Sequence, residues 1–485
     1  MNERALRRIP SLDALLREAG GEALVREYGR QAVVAAGRAV LDEVRTEIAA
    51  AAGAAAQELA ADALLERLRD RLCRKFRPSL RPAVNATGII MHSGLGRAVL
   101  PEAAVEALLA VGHGYSTLAL DLETGRRTSR DRHVEGLLRE LTGAEAATVA
   151  NNNAAATVLI LNSLARGKEV VVSRGQLVEI GGSFRMPDVM ATSGAVLREV
   201  GTTNKTHLRD YEEAIGEATG AILRVHHSNY RIIGFAEEPA IEALAELGRR
   251  RGVPVIDDLG SGALLDLAEF GIAPEPLVRD SIRAGADVAC FSGDKLIGGP
   301  QCGLIVGRAE WVARIKKNPL ARAFRCGKLS LAALEATLRL FLSPELLRAR
   351  HPVYRMLALM PDELGRRAKK VAASLRKALP EDVGVAVEDA ESQVGSGAVP
   401  VETLPTKALA VTSASLAPDA LAAALRGLDP PVFARISRDA VLLDFRTIQP
   451  GEDAVVERAL LAIFKKEGRP RSGVKVPPGG TVPSV

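Results

Sequence analysis

The chain has 485 residues, 47% hydrophobic and 25% charged, a composition typical of a globular protein with more than one domain. Lys and Arg number 64 against 59 Asp and Glu, and the resulting charge of +5 permits a polyanionic partner without requiring one. The N-terminus lacks an apolar signal segment, no stretch approaches the ~18–20 apolar residues of a membrane span, and the four cysteines form no C-x-x-C pair. We therefore expect a cytoplasmic protein with no membrane segment and no metal site.

The N-terminal region, residues 1–76, is predicted to form a small helical domain. Ser11 is a plausible N-cap for apolar residues at helical spacing. The last stretch, ERLRDRLCRKFRPSLRP, is rich in Arg and Lys before Pro78 and Pro82 break the helix. Two interpretations of these charges stay open, namely a solvated helical face and a surface for nucleic-acid phosphates.

The next region, residues 77–330, alternates short β-branched runs with helical patterns such as PAIEALAELGRRRG (239–252). The runs are apolar enough to be buried on both faces, which is typical of parallel strands. They are EVVVS (169–173), AILRV (221–225), VPVIDD (253–258), DVACFS (287–292) and CGLIVG (302–307). This alternation of strands and helices predicts an α/β, doubly wound, mostly parallel sheet, which would bind its ligands at the C-terminal ends of the strands.

The remaining sequence predicts a smaller α+β domain over residues 331–465. Helical patterns at 329–343 and 368–380 are followed by strand-like KALAVTS (407–413) and AVLLDFR (440–446). Residues 466–485 are rich in Pro and Gly and poor in apolar residues, so we expect a disordered tail.

One lysine, Lys295, lies in the tight turn FSGDKLIGGPQ, directly after the predicted strand DVACFS. The strand VPVIDD ends at the same edge with Asp257 and Asp258. A lysine and a carboxylate at neighbouring strand ends are what a pyridoxal phosphate site needs. The amine forms a Schiff base with the cofactor aldehyde, and the acid keeps the pyridine nitrogen protonated.

The cofactor phosphate would need backbone N–H groups at the start of a helix. The segment TVANNNAAATVLILNSLARG (148–167) offers Asn152, Asn153 and Ala154 between a short strand and a helix, and Ser292 could add a hydroxyl group. Plain helix capping by the asparagines is the open alternative.

Several segments, in this order, resemble the bacterial L-seryl-tRNA(Sec) selenium transferase family, also called selenocysteine synthase. The resemblance covers about residues 5 to 465. The segments that carry it are NATGIIMHSGLGRA (85–98), GYSTLALDLETGRR (114–127), NNNAAA (151–156), SRGQLVEIGGSFRMPDVM (173–190), GTTNKT (201–206), VHHSNYRIIGF (225–235), DDLGSG (257–262), FSGDKLIGGPQCGLIVG (291–307) and NPLARAFRCGK (318–328).

The resemblance implies a pyridoxal phosphate enzyme of fold type I that converts seryl-tRNA(Sec) to selenocysteyl-tRNA(Sec) via aminoacrylyl-tRNA, with selenophosphate as the selenium donor. Lys295 would hold the cofactor, and Asp258 would pair with the pyridine nitrogen, with Asp257 as the alternative. The resemblance further implies an N-terminal domain that binds the tRNA. It also implies a homo-oligomer, a pentamer of dimers, with active sites between subunits.

The same resemblance suggests roles for further polar residues. Arg97, Arg322 and Arg325 would bind the donor anion, because planar guanidinium groups bind oxyanions bidentately. His226 follows the predicted strand AILRV and would lie near the cofactor, where a hydrogen bond to the cofactor or substrate and a purely structural role both stay open, and Gln176 would approach the ring. No role is assigned to Cys326.

Two rival functions stay open at this point. One is a related pyridoxal phosphate enzyme that acts on a small molecule, such as an amino sugar acid ammonia lyase, although such an enzyme has no use for the basic helical domain. The other is an RNA-binding protein with an inactive core, which the presence of Lys295, Asp258 and the arginines disfavours.

Overall fold

The structure is a computed structural model that describes residues 9–50, 60–181, 184–227, 229–395, 399 and 402–464. The chain divides into two compact units between Pro82 and Ala83. The predicted tail, residues 466–485, lies outside the described residues.

The N-terminal unit is helical. Its helices are α1 (Leu12–Arg17), α2 (Ala19–Tyr28), α3 (Arg30–Ala50) and α4 (Ala61–Phe76). Ser11 caps α1 as predicted, since its hydroxyl oxygen accepts a hydrogen bond from the Ala14 amide at 3.2 Å. The buried side chains of α4 recur every three or four residues, which directs one apolar stripe toward the core of this unit.

The basic residues of α4 divide into two groups. Arg67 and Arg71 form ion pairs with Glu47 and Glu43 of α3, so they serve packing between the two helices. The side chains of Arg69, Arg74 and Lys75, in contrast, are exposed.

The second unit contains two large sheets with helices packed against them. Its helices are α5 (Glu102–Gly112), α6 (Arg132–Thr142), α7 (Asn153–Ala165), α8 (Met186–Ser193), α9 (Leu208–Ala214), α10 (Ile241–Arg251), α11 (Val278–Arg283), α12 (Ala309–Lys317), α13 (Pro319–Ala323), α14 (Lys328–Leu340), α15 (Pro344–Arg350), α16 (Pro352–Ala358), α17 (Pro361–Ala378), α18 (Pro418–Arg426) and α19 (Asp453–Phe464). Its strands are β1 (Val84–Ala86), β2 (Ala146–Ala150), β3 (Glu169–Ser173), β4 (Glu179–Ile180), β5 (Phe184–Arg185), β6 (Val196–Val200), β7 (Thr219–Val225), β8 (Val255–Gly260), β9 (Val288–Ser292), β10 (Gly303–Gly307), β11 (Val383–Gln393), β12 (Thr403–Ser413), β13 (Val432–Ser437) and β14 (Ala440–Asp444).

The larger sheet has seven strands in the order β2-β10-β9-β8-β7-β3-β6. Neighbours from β9 to β6 pair in parallel, and the central strands are buried. The predicted α/β class and the mostly parallel sheet are therefore confirmed. Because the parallel strands end at one edge, their following loops meet there.

The strand CGLIVG (302–307) was predicted to be parallel, and this prediction is wrong. It forms β10, which pairs antiparallel with both β9 and β2. Only the short turn 293–302 joins β9 to β10, whereas a parallel connection needs a crossover of a dozen or more residues. Burial on both faces is the property that the sequence reveals, and it does not fix strand direction.

The second sheet has the order β1-β13-β14-β12-β11. Helices α17, α18 and α19 contribute to one apolar core with β12 and β14. Strand β1 pairs in parallel with β13, so the first strand of this unit joins the sheet built from the C-terminal part of the chain.

Among the helices of the described residues, none combines the length and hydropathy that crossing a bilayer requires.

Candidate functional site

A cavity of about 240 Å³ opens where β2, β7, β8 and β9 end. Eight residues that were predicted to form the site line it together. They are Arg97, Asn152, Asn153, Ala154, His226, Asp258, Ser292 and Lys295. The sequence places them on separate segments, and the common edge of the parallel strands brings them together.

Lys295 lies in this cavity and is only 6% exposed. Burial lowers the pKa of its ammonium group, and the nearby Arg97 lowers it further, whereas Asp258, Asp294 and Glu275 oppose the shift. A lysine with a lowered pKa supplies more neutral amine, which is the nucleophilic form. The turn therefore presents a buried amine rather than a solvated surface cation.

Asp258 faces the same cavity from β8. Its carboxylate accepts hydrogen bonds from Asn153 Nδ2 at 2.8 Å, Thr157 Oγ1 at 2.9 Å and the Gly260 amide at 3.2 Å. Burial raises the pKa of this carboxyl group, which the hydrogen bonds and Lys295 partly offset. Such a carboxylate favours a cation beside it, because a neighbouring positive charge stabilises its ionised form.

Asp257 is directed to different partners. Its carboxylate pairs with Arg224 at 3.1 Å and accepts a hydrogen bond from Ser281 at 2.6 Å. Successive side chains of a strand point to opposite faces, so only one of the two aspartates can face the cavity. The cavity is lined by Asp258, and Asp257 is not among its lining residues in the described chain.

The N-terminus of α7 forms another wall of the cavity. Asn152 is the N-cap, and its side-chain oxygen accepts from the Ala155 amide at 2.8 Å, so the capping interpretation holds for this residue. Asn153 instead orients Asp258. Asn153 and Ala154 line the cavity at the positive end of a thirteen-residue helix, a location that favours a phosphate group.

Two buried polar atoms in this cavity have no hydrogen-bond partner among the described residues. They are His226 Nδ1 and Asn153 Oδ1. Burial lowers the pKa of His226 to about 4, so its imidazole is neutral near pH 7. An amine, a buried carboxylate, a helix N-terminus and unsatisfied polar atoms around one small cavity fit a phosphorylated, aldehyde-bearing heterocycle such as pyridoxal phosphate.

Arg97 lies at the mouth of the cavity and is held by Asp294. Its Nη1 atom donates to Asp294 Oδ2 at 2.9 Å, and Asp294 directly precedes Lys295 in the chain. The backbone of Arg97 has φ +63°, a conformation that non-glycine residues seldom adopt. Arg97 is thus fixed beside the lysine, where it can attract an anion.

Arg322 and Arg325 do not line the Lys295 cavity in the described chain. They line a second cavity of about 410 Å³, together with Arg127, Arg130 and Lys316. Arg130 is the largest cause of the lowered pKa of Arg325, because like charges repel, and burial, Arg322 and Arg127 lower it further. Cys326 also lines this second cavity, and burial raises the pKa of its thiol to about 12, so the thiol stays protonated.

Gln176 is likewise absent from the lining of the Lys295 cavity in the described residues. It is buried, its side-chain oxygen accepts from the Val225 amide at 3.0 Å, and its nitrogen donates to Glu238 at 3.1 Å. These contacts hold the end of β7 directly before His226, so Gln176 positions the backbone next to the site without lining the cavity.

Sequence reasoning missed two residues that hold side chains of this site in place. Thr157 binds Asp258, and Asp294 binds Arg97. Thr157 follows Asn153 by four positions in α7, and this spacing places both on one helix face. That spacing was readable in the sequence, whereas the pairing of Asp294 with Arg97 depends on a contact between segments far apart in the chain.

Metal ligation has no support in the described residues, where no group of three or more His, Cys, Asp or Glu side chains is arranged to hold an ion.

Comparisons with known proteins agree with this geometry. A family model described as L-seryl-tRNA selenium transferase matches residues 83–449, and a model described as selenocysteine synthase N terminal matches residues 6–45. An L-seryl-tRNA(Sec) selenium transferase from Nitratidesulfovibrio vulgaris (strain Hildenborough) is 50% identical over 461 residues, covering 94% of this chain and 98% of the relative. A protein of the same name from Geobacter metallireducens is 48% identical over 457 residues, covering 94% and 98%.

A solved structure of D-glucosaminate-6-phosphate ammonia-lyase is also similar. It is 21% identical with a TM-score of 0.56, covering 81% of this chain and 98% of that chain. At this identity the likeness shows a shared fold and no more.

Proposed function

The chain belongs to the L-seryl-tRNA selenium transferase family, and from this premise we propose that it converts seryl-tRNA(Sec) to selenocysteyl-tRNA(Sec) with pyridoxal phosphate as cofactor. In the overall reaction the β-hydroxyl group of the seryl moiety leaves as water. Selenium from selenophosphate takes its place on the β-carbon, and a water molecule cleaves the selenium–phosphorus bond, so that phosphate is released.

The Lys295 cavity would hold the cofactor through residues with distinct tasks. Lys295 would bind the aldehyde carbon, Asp258 would keep a proton on the ring nitrogen, and the N-terminus of α7 with Ser292 would bind the phosphate. When bound, pyridoxal phosphate supplies an electron sink that stabilises negative charge on the α-carbon of the seryl group.

Lys295 also serves as the base for the reaction. When its amine is not bound to the cofactor, it would take the α-proton of the seryl moiety. Burial and Arg97 lower the pKa of Lys295, which favours the neutral form of the amine that accepts this proton. The neutral His226 lies on the same cavity wall and can hydrogen-bond to the cofactor or the substrate.

The single observation that carries this proposal is the presence of Lys295 and Asp258 in one small cavity beside a helix N-terminus. It is tested by incubating the protein with seryl-tRNA(Sec) and selenophosphate, followed by an assay for selenocysteyl-tRNA. A parallel incubation with D-glucosaminate 6-phosphate, assayed for ammonia, tests the lyase alternative. Ammonia release without formation of selenocysteyl-tRNA would contradict the proposal.

The N-terminal domain, residues 1–76 of the predicted division, would bind the tRNA. The exposed Arg69, Arg74 and Lys75 of α4 support this role, since phosphate contacts need solvent-facing cations. The predicted large domain (77–330) would hold the cofactor, and the small domain (331–465) would complete the core. Because aminoacyl-tRNA is used in the cytoplasm, we place the reaction there.

Charge reversal on α4 tests the tRNA surface. We expect Arg69→Glu, Arg74→Glu and Lys75→Glu together to weaken seryl-tRNA(Sec) binding in a gel shift and to flatten its salt dependence, because fewer phosphates are neutralised. Cofactor absorbance should stay unchanged. The matched control reverses Arg366, Lys369 and Lys370, which are exposed on α17 in the other unit. Equal weakening by both triple variants would contradict a specific α4 surface.

The donor anion would be bound by Arg97 together with Arg322 and Arg325. Because the last two line a second cavity within the same chain, we propose that a partner subunit brings its own Arg322 and Arg325 to each active site. This arrangement is supported by the family resemblance, which implies active sites between subunits. It accords with a homo-oligomer, for which we propose a pentamer of dimers.

A subunit-mixing experiment tests this arrangement. Lys295→Ala and Arg325→Ala are each expected to be inactive, whereas oligomers reassembled from both should regain part of the activity, since some sites then combine an intact Lys295 with an intact Arg325. A chain that carries both substitutions, mixed with itself, is the control and should stay inactive. Failure of the mixed oligomers to recover activity, with exchange verified by mass spectrometry, would overturn the shared site.

A further inference from the structure

The turn that carries Lys295 is buried and tightly closed. The Gly298 amide donates to the Lys295 carbonyl oxygen at 2.8 Å, and the Gly293 amide donates to the Cys302 carbonyl oxygen at 2.9 Å. Residues 293–299 are all buried. The position of the Lys295 amine therefore depends on what the turn packs against.

Two side chains from the segment 351–354 bind the carbonyl groups that follow Lys295. The Tyr354 hydroxyl donates to the Leu296 carbonyl oxygen at 3.1 Å, and His351 Nε2 lies 2.9 Å from the Ile297 carbonyl oxygen. Burial lowers the pKa of His351 to about 4, so its ring is neutral, and the short contact to a carbonyl assigns the single N–H to Nε2. Burial also raises the pKa of Tyr354, which keeps its phenol protonated as a donor.

These two rings form an aromatic platform with Phe341. The ring centroids of His351 and Tyr354 lie 5.0 Å apart. The Phe341 centroid lies 5.7 Å from that of His351 and 5.6 Å from that of Tyr354, and all three pairs have edge-to-face geometry. The turn rests directly on this platform, since a Cβ atom built at Gly298 would lie 2.0 Å from His351 Cε1. Gly298 also has φ +66°, so glycine alone suits this position.

We propose that Tyr354 and His351 are positioning residues that hold the Lys295 turn in place, so that the lysine amine stays inside the cavity where it captures the cofactor. This inference rests on the proposed function. Neither residue lines the Lys295 cavity in the described chain, so each acts through the backbone of the turn.

The consequence for Lys295 follows from its surroundings. The charged and titratable groups that face its amine are Arg97, Asp258, Asp294, Glu275 and His226. Burial is the largest cause of the lowered pKa of Lys295. If the turn loosens, the amine becomes better hydrated, its pKa rises, and less neutral amine is present near pH 7.

The test is the rate at which apoenzyme captures pyridoxal phosphate, followed by the visible absorbance across a pH series. We expect Tyr354→Phe to move the midpoint of this pH profile to higher pH. At neutral pH capture should slow by about three- to tenfold, the size expected for one buried neutral hydrogen bond. The substitution removes only a hydroxyl group, so the platform keeps its packing.

Matched variants separate positioning from general destabilisation. Tyr211→Phe changes another fully buried tyrosine, which packs in a different core cluster with Val171 and Leu244, and it should leave the midpoint in place. Gly298→Ala should shift the midpoint in the same direction as Tyr354→Phe. Gly252→Ala, at φ +67° with open space around its Cβ position, should not.

The outcomes distinguish this inference from the proposed function. A Tyr354→Phe profile with the wild-type midpoint and rate would overturn the positioning role alone. Wild-type protein that develops no visible absorbance with pyridoxal phosphate would overturn the proposed function itself.

Discussion

Substitution of Lys295 with alanine is expected to abolish selenocysteyl-tRNA formation and the visible absorbance of the lysine-bound cofactor together. The amine is given two tasks, covalent attachment and transfer of the α-proton. Loss of activity should therefore exceed the roughly 10²–10⁴-fold that removing one general base costs. Pyridoxal phosphate added to this variant should stay dialysable, because the remaining polar contacts hold it without a covalent bond. Absorbance spectra before and after dialysis, with the tRNA assay, measure both effects.

A lysine at another position serves as the control. Lys407 lies on β12, outside the cavity, and pairs with Asp389. Lys407→Ala should keep full absorbance and activity. If Lys295→Ala retained wild-type absorbance after dialysis, the attachment of the cofactor at this turn would be wrong. Absence of cofactor binding in the wild-type protein would support an RNA-binding protein with an inactive core.

The second large effect is expected from Asp258→Asn. The amide can keep the local hydrogen bonds, because its oxygen can accept from Asn153 and Gly260 while its NH₂ group donates to Thr157 Oγ1. What disappears is the negative charge that keeps the ring nitrogen protonated. We expect activity to fall by about 10²–10³-fold, as for loss of one preorganised electrostatic contact, with little change in thermal stability. Turnover and melting temperature of the holoenzyme measure the two quantities.

Asp257→Asn is the matched control for this change, at the neighbouring position of the same strand. Asp257 is fully buried and paired with Arg224, and breaking such a pair costs about 3–5 kcal/mol of stability because the remaining charge lacks its partner. This variant should melt at a lower temperature yet keep its cofactor spectrum and its activity per folded molecule. The reverse pattern, with activity lost in Asp257→Asn and kept in Asp258→Asn, would show that the ring nitrogen pairs with Asp257 and that the assignment to Asp258 is wrong.

Much of the catalytic core could be predicted because its signals are local. The run EVVVS occupies β3 residue for residue, and the strands at 221–225 and 287–292 are found within two residues of their predicted bounds. Parallel strands place their C-terminal ends at one edge, so Lys295 and the pair Asp257 and Asp258 could be assigned to that edge from strand ends alone, whereas the preference for Asp258 came from the family resemblance. The same rule placed the asparagines before α7 at that edge.

What could not be predicted depends on contacts between distant segments. The direction of β10 follows from a connection too short for a crossover, and the pairing of β1 with β13 joins residues about 350 positions apart. Arg322 and Arg325 line a cavity together with Arg127 and Arg130, which sequence spacing does not reveal. The contacts of Tyr354 and His351 with the lysine turn are likewise invisible until the chain is folded.

The most direct test of the central claim is borohydride reduction of the cofactor-loaded protein, followed by proteolysis and mass spectrometry of the labelled peptide. Reduction makes the bond between cofactor and protein permanent, so the modified residue is read without any assay of turnover. The account predicts a single pyridoxyl phosphate adduct on Lys295. An adduct on a different lysine, or no adduct in protein that carries the visible absorbance, would contradict it.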